Sequence, residues 1–291
     1  MIAVFFVVLT LILGAAVALV FASGRWQSAT KAAHISLEAA RRADRPHRFD
    51  VRELAGLPEP VKQYFQTVLT VGQPIVATVR LEQTGTMKVR PAQAQGWRPF
   101  TAVQRVVTNR PGFDWDARIA LAPGIPIRVR DAYIAGEGML KASLFGLLTV
   151  AHLQDKQELA RDELMRFVAE APLYPTALLP SQGVHWEGAG PRQAWATICD
   201  GPHTVGLLFA FTEQGVVASV RAPERGRTVG QERVPTPWVG YWREYRNQDG
   251  MLIPGAGEVG WQLQEGEALY WRGQNRAVHY SFAPVSAPPT L

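Results

Sequence analysis

At 291 residues, with 47% hydrophobic and 19% charged side chains, the chain can bury a large core and is too apolar for disorder. Its net charge of +5 does not mark a nucleic-acid binder. Arg25, Lys31, Arg41, Arg42, Arg45, Arg48 and Arg52 crowd behind the first apolar run, and no basic, aromatic-interleaved motif occurs elsewhere. The single cysteine, Cys199, excludes an intrachain disulfide and, in the strand-like WATICDG, reads as a small buried hydrophobe.

Residues 2–22 are uninterruptedly apolar or small, and as a helix would span about 30 Å, the thickness of a bilayer core. No charged side chain precedes the run, unlike a secretory signal, so the reading is a transmembrane anchor, with a cleaved signal peptide as the alternative. Basic residues follow the span and none precedes it, which places the rest of the chain in the cytoplasm by the positive-inside rule; a periplasmic-facing domain is the alternative. Trp26 falls where an interfacial aromatic belongs. The expected organisation is an anchor at 2–22, a basic juxtamembrane segment at 23–53, a β-rich domain at 54–282 and a disordered tail at 283–291.

Leu57, Val61, Tyr64, Phe65 and Val68 recur at helical spacing behind Pro58 and Pro60, predicting a one-sided helix. Strands follow. Residues 75–89 alternate, with Ile75, Ala77, Val79, Leu81 and Met87 on one face, and Gly85 marks a bulge or bend. Residues 97–108, 113–121, 127–135 and 136–142 continue the pattern. Asp155 with Glu158 then forms a capping box, and Ala160, Leu164, Phe167, Val168 and Ala171 draw an apolar helix face that Pro172 and Pro175 end. Strands resume at 193–200, 203–211 and 216–222. The charged stretch 223–237 reads as a long loop, and strands at 238–246, 258–263, 268–272 and 277–282 finish the set. Turn signals at this spacing predict a mainly β fold with helices, an open antiparallel half-barrel of about ten strands with the helix laid across or inside it.

Catalytic signatures are missing: no HExxH, paired CxxC, phosphate loop, dinucleotide-binding glycine motif or GxSxG, and the six histidines are dispersed. No cofactor or metal is expected. Asp114, Asp116 and Arg118 share one strand face, either as a polar ligand contact or as a solvated surface. Asp131 shares parity with Ile127, Val129 and Tyr133, so this carboxylate on an apolar face needs a partner or a raised pKa. Glu258 is a second acid that either joins Asp131 or faces solvent. Of the nine tryptophans, Trp115, Trp186, Trp195, Trp261 and Trp271 lie in or beside strands, filling a core or lining an apolar groove. Tyr174 is placed at the lip of such a groove, and Arg272 against an anionic headgroup.

The phrases LPEPVKQYF, PGFDWDARI, VRDAYIAGEGML, ELMRFVAEAPLYPTALLPS, PTPW, GEVGW and YWRG resemble an uncharacterised bacterial domain of unknown function, over residues 57–280. The resemblance implies no activity. In architecture the chain looks like the incomplete β-barrels of lipoprotein carriers and receptors, in which a curved sheet wraps an apolar cavity; that likeness concerns fold alone.

The leading expectation is a membrane-anchored binding protein for an apolar or amphiphilic ligand, such as a lipid or acyl chain. Its alternatives are a hydrolase-like enzyme using Asp131 with Asp114, Asp116 or Glu258, and a ligand-free scaffold of a membrane complex. Membrane lipid and a hydrophobic small molecule are the expected partners, without nucleic acid. An enzyme requires the acids to converge in one cleft, a carrier requires an apolar cavity, and a scaffold requires a filled core with an exposed apolar patch.

Overall fold

The computed structural model describes residues 1–42, 45–89, 96–154, 157–230 and 232–283. The expected cap at Asp155 and the tail at 284–291 lie outside the described residues. Helix α1 (Ile2–Ala39) does not stop where the apolar run ends; the Ala-rich stretch continues it to 38 residues, about 57 Å at 1.5 Å per residue. By length and composition it can cross a membrane. Helix α2 (Glu59–Val68) starts with proline in its first turn and buries Val61, Tyr64, Phe65 and Val68, the face that the periodicity predicts.

The strands are β1 (Val76–Lys88), β2 (Trp97–Val107), β3 (Gly112–Ala122), β4 (Ile125–Ile134), β5 (Glu137–Leu144) and β6 (Leu148–Gln154), then β7 (His185–Gly190), β8 (Gln193–Asp200), β9 (His203–Phe211), β10 (Val217–Val229), β11 (Glu232–Gln248), β12 (Met251–Leu263) and β13 (Gly266–Phe282). They form one open antiparallel sheet of 13 strands in the order β6-β5-β4-β3-β2-β1-β13-β12-β11-β10-β9-β8-β7. The count exceeds the expected ten. Strands β6 and β7 add to the expected set, while the segments at 268–272 and 277–282 are one strand, β13, carried past its bulge at Arg276.

The segment 223–237 is not a loop either. It is a paired hairpin arm, with Arg225 opposite Thr236 and Arg227 opposite Val234. Its charges misled the reading because two of them, Arg225 and Arg233, turn inward to meet acids on helix α3 (Gln157–Glu170).

Helix α3 lies inside the curve of the sheet and touches β5, β9 and β10. Its predicted apolar face is buried through Ala160, Leu164, Phe167 and Val168, but so are Glu163 at its edge and Asp162 on the other side. Short 3-10 turns at Ala171–Leu173, Pro175–Leu178 and Pro180–Gln182 complete the filling. The concave face they meet carries the alternating set of each strand: Val79 and Leu81 from β1, Phe113, Trp115, Ala117 and Ile119 from β3, and Ala194, Ala196 and Ile198 from β8. The interior is therefore packed with the chain's own side chains where an apolar cavity was expected.

A row of glycines explains how so long a sheet bends. Gly85, Gly273 and Gly257 are direct neighbours across β1, β13 and β12. A Cβ on Gly85 would run into the Arg272 carbonyl, one on Gly273 into the Trp271 indole, and one on Gly257 would come within 2.7 Å of the Trp242 ring. The two indoles lie over bare backbone, and glycine kinks of this kind bend sheets.

Candidate functional site

The outer face of the sheet is where α1 docks. The Trp26 indole N–H donates to Asp116 Oδ2 at 2.8 Å, and the Arg128 and Arg130 guanidinium groups lie 4.8 and 5.1 Å from the Trp26 ring centre. Arg130 also reaches Asp114 Oδ1 at 3.1 Å, and His34 Nε2 lies 3.3 Å from Asp114 Oδ2. Leu37 closes against Gly112, whose lack of a side chain makes room for it. Trp26 is thus 5% exposed and bound to the sheet, not spread at a membrane interface as its position suggested. Further on, Arg42 reaches Asp200 at 3.6 Å and Arg48 donates to the Gly72 carbonyl. Those arginines, beyond the end of α1 at Ala39, contact protein, whereas a headgroup layer was expected beside them.

Two open clefts adjoin on this same outer face. One, of about 400 Å3, begins at α1 and is lined by Thr30, His34, Asp114, Asp116, Arg118 and Arg128. The other, of about 460 Å3, runs across β1, β13, β12 and β11 past Arg243 and Arg272. Thr84, Thr101 and Arg276 line both, so the two make one groove. Five arginines from four strands face it: Arg118, Arg128, Arg243, and Arg272 with Arg276 from β13. Of its acids, Asp114 and Asp116 are engaged by α1 and Arg130 and Glu82 by Arg80, while the exposed Glu244 lines it beside Arg243. Burial weighs most against the charge of Arg128; Asp116 supports it, Arg118 and Arg130 oppose it, and its pKa falls below the ordinary arginine value. An anion placed beside Arg118 and Arg128 would relieve that opposition.

Inside the sheet is a second, enclosed charge cluster. Asp131 Oδ2 accepts from Arg166 at 2.5 Å, Arg166 also binds Glu170 at 2.8 Å, and Gln104 donates to Glu170. Glu163 faces Arg225 at 3.7 Å, while Asp162 pairs with Arg233 and accepts the Gly226 amide. Four carboxyl groups thus meet three guanidinium groups. Burial first, and Asp131 second, push the Glu163 pKa well above the ordinary glutamate value. A protonated Glu163 leaves the cluster neutral. Burial opposes the charge of Arg166, but Glu170, Asp131 and Glu163 outweigh it and raise its pKa. Arg166 also covers the rings of Phe113 and Trp115, at 4.9 and 5.0 Å. Asp131 is therefore the partner of a half-buried arginine.

The candidate residues separate into three places. Asp114, Asp116, Arg118 and Arg272 line the outer groove, and Glu258 lies at its side, bound to Arg243 and Arg272 at 2.9 Å each. Asp131 and the half-buried Trp271, whose ring is 5.7 Å from Phe100, face inward, as does Trp261 stacked on Tyr270. Tyr174 is fully buried and donates to the Phe167 carbonyl, so it forms no groove lip. Trp186 is core, donating to the Leu178 carbonyl and packing on Phe65 and Phe209. Cys199, expected to be buried, is exposed, because Ala194, Ala196 and Ile198 take the inward positions of β8. The acids of the proposed hydrolase lie on opposite faces of the sheet and share no cleft. Among the described residues, no group of His, Cys, Asp and Glu could hold a metal ion.

Thr84, Thr101, Arg243 and Arg276 went unnoticed in the sequence, and Arg128 was placed by parity alone. Parity sets Arg128 on the face opposite Asp131, but Arg276 falls between 268–272 and 277–282, which were expected as separate strands and are one.

Residues 55–280 match the family of unknown function DUF6920. The chain belongs to that family. Two of its phrases carry the glycine row: GEVGW begins with Gly257 and YWRG ends with Gly273. No curated protein matches the chain in sequence. Among solved structures it is similar to a LolA superfamily protein from Nitrosomonas europaea, with 7% identity, 77% of this chain and 93% of that one covered, and a TM-score of 0.38. It is also similar to a beta-barrel-like protein of domain of unknown function DUF1849 from Brucella abortus, with 11% identity, coverage of 71% and 99%, and a TM-score of 0.25.

Proposed function

We propose that this protein is a membrane-anchored binding protein for an amphiphile with an anionic headgroup, held in the outer groove. The observation that carries the reading is the groove itself: five arginines and four threonines line an open cleft that begins at the helix able to cross a membrane. Arg118, Arg272 and Arg276 are exposed, and Arg118 forms no ion pair among the described residues. Guanidinium groups match phosphate and carboxylate oxygens in pairs, and threonine hydroxyls complete such contacts. The acyl chains remain in the bilayer next to α1, so the filled interior is no obstacle. The basic residues behind the span favour the cytoplasmic side.

A ligand-free scaffold is the second reading, favoured by that same filled interior. Binding separates the two. The full chain in a neutral detergent is titrated with dihexanoylphosphatidylglycerol and with dihexanoylphosphatidylcholine, reading tryptophan emission, since Trp97 lies under Arg272 at 4.6 Å. The anionic lipid binds at least about tenfold more tightly, and Arg118→Ala with Arg276→Ala removes that preference, each charged contact being worth about 1.5–3 kcal/mol. Equal binding of both lipids, or a preference untouched by the two substitutions, overturns the proposal.

A further inference from the structure

We infer that the turn joining β5 to β6, with the turn joining β3 to β4, dips into the bilayer beside α1 and seats the sheet on the membrane. The inference rests on α1 being a membrane span. Phe145 and Gly146 both have positive φ, 54° and 76°, and the Leu147 amide donates to the Leu144 carbonyl, which makes a tight hairpin turn. The Phe145 amide donates to the Pro126 carbonyl, tying this turn to the one before β4. Together they present Ile125, Leu147, Leu148 and Val150, which are 40%, 49%, 63% and 53% exposed. Soluble surfaces seldom group bare aliphatic side chains in this way.

What covers the patch follows from its place. A Cβ on Gly146 would lie 3.8 Å from Ala22 Cβ and 3.5 Å from Arg128 Cδ. Ala22 closes the apolar run 2–22, and that run equals one hydrocarbon core in length. The patch is therefore held at the level where the core meets the headgroups, next to the still exposed Val20 and Phe21. Arg25 and Arg128 lie at the same level, suited to anionic headgroups above buried aliphatic side chains. Because Trp26, Thr30 and His34 fasten α1 to β3, helix and turns meet the membrane as one rigid edge. The arginine groove opens directly above that edge, at Arg118 and Arg128.

The test uses the full chain with Cys199→Ser, in vesicles of phosphatidylethanolamine and phosphatidylglycerol. Single cysteines are placed by Leu148→Cys, Val150→Cys, Val17→Cys and Val71→Cys, each carrying a nitrobenzoxadiazole label. Lipid bearing a doxyl quencher near the headgroup is then added. Labels at 148, 150 and 17 lose about half or more of their emission, while the label at 71, on the exposed turn after α2, keeps it. Quenching at 17 without quenching at 148 and 150 overturns the seat and leaves the anchor standing. Emission at 148 that shifts to the blue only with rising protein density, without quenching, shows a second copy on the patch and also overturns it. No quenching at 17 refutes the anchor, and the seat with it.

Discussion

The Trp26 indole N–H donates to Asp116 Oδ2 across 2.8 Å, joining the helix that can cross a membrane to the third strand of the sheet. With Arg128 and Arg130 over the same ring, the contact leaves α1 and the sheet little freedom to turn against each other. Trp26→Ala removes the ring, the donor and both cation contacts. It is expected to cost about 3–5 kcal/mol and to raise amide exchange through residues 26–39 well before the rest of the chain. Unchanged exchange there would show that the helix is held by other contacts.

The inner charge cluster makes a different prediction. Arg233→Ala strands Asp162 in the interior with only the Gly226 amide, a loss of about 3–5 kcal/mol in a denaturant titration. The double change Arg233→Ala with Asp162→Asn recovers much of it, because the uncompensated charge goes too. A double variant no more stable than the single one contradicts this account.

Glu163 gives a pH signature whose sign follows from its raised pKa. Above the ordinary value of 4.5 the unfolded chain has lost this proton while the folded chain keeps it, so the residue's contribution falls as pH rises. Glu163→Gln has no proton to lose. The variant therefore gains on the wild type by about 1.4 kcal/mol per pH unit above that point, until the folded carboxyl titrates. Melting temperatures of the two proteins from acid to neutral pH check this; parallel curves would contradict it.

The glycine row is tested by Gly273→Ala, which pushes a methyl group into the Trp271 indole. A loss of about 1–3 kcal/mol or more is expected for such overpacking. Gly206→Ala, whose added methyl meets Thr197 Oγ1 at an ordinary 3.5 Å, serves as the control and changes little. Equal losses at the two positions would remove the bend from the account.

Much of this fold is legible in the chain because period-two alternation survives where one face of a strand is buried. Phe113, Trp115, Ala117 and Ile119 announce β3, and Val61, Tyr64, Phe65 and Val68 announce α2. Where charge is buried in pairs the signal fails. Arg225 and Arg233 make a strand look like a loop, and Asp162 and Glu163 make a helix buried on two sides look one-sided. The site was half visible for a related reason. Asp114, Asp116 and Arg118 could be placed on one face of β3, but alternation within a strand does not say what covers that face. Only the three-dimensional path of α1 brings Trp26 and His34 there.

The central claim concerns what the groove holds, and an inventory of co-purified lipid tests it most directly. The full chain and its Arg118→Ala, Arg276→Ala variant are purified in the same neutral detergent, extracted with organic solvent and weighed against a mock purification by mass spectrometry. One class of anionic amphiphile near equimolar amount on the wild type, and lost from the variant, is the predicted result. Lipid no richer than the mock, or retained equally by both proteins, would contradict the account.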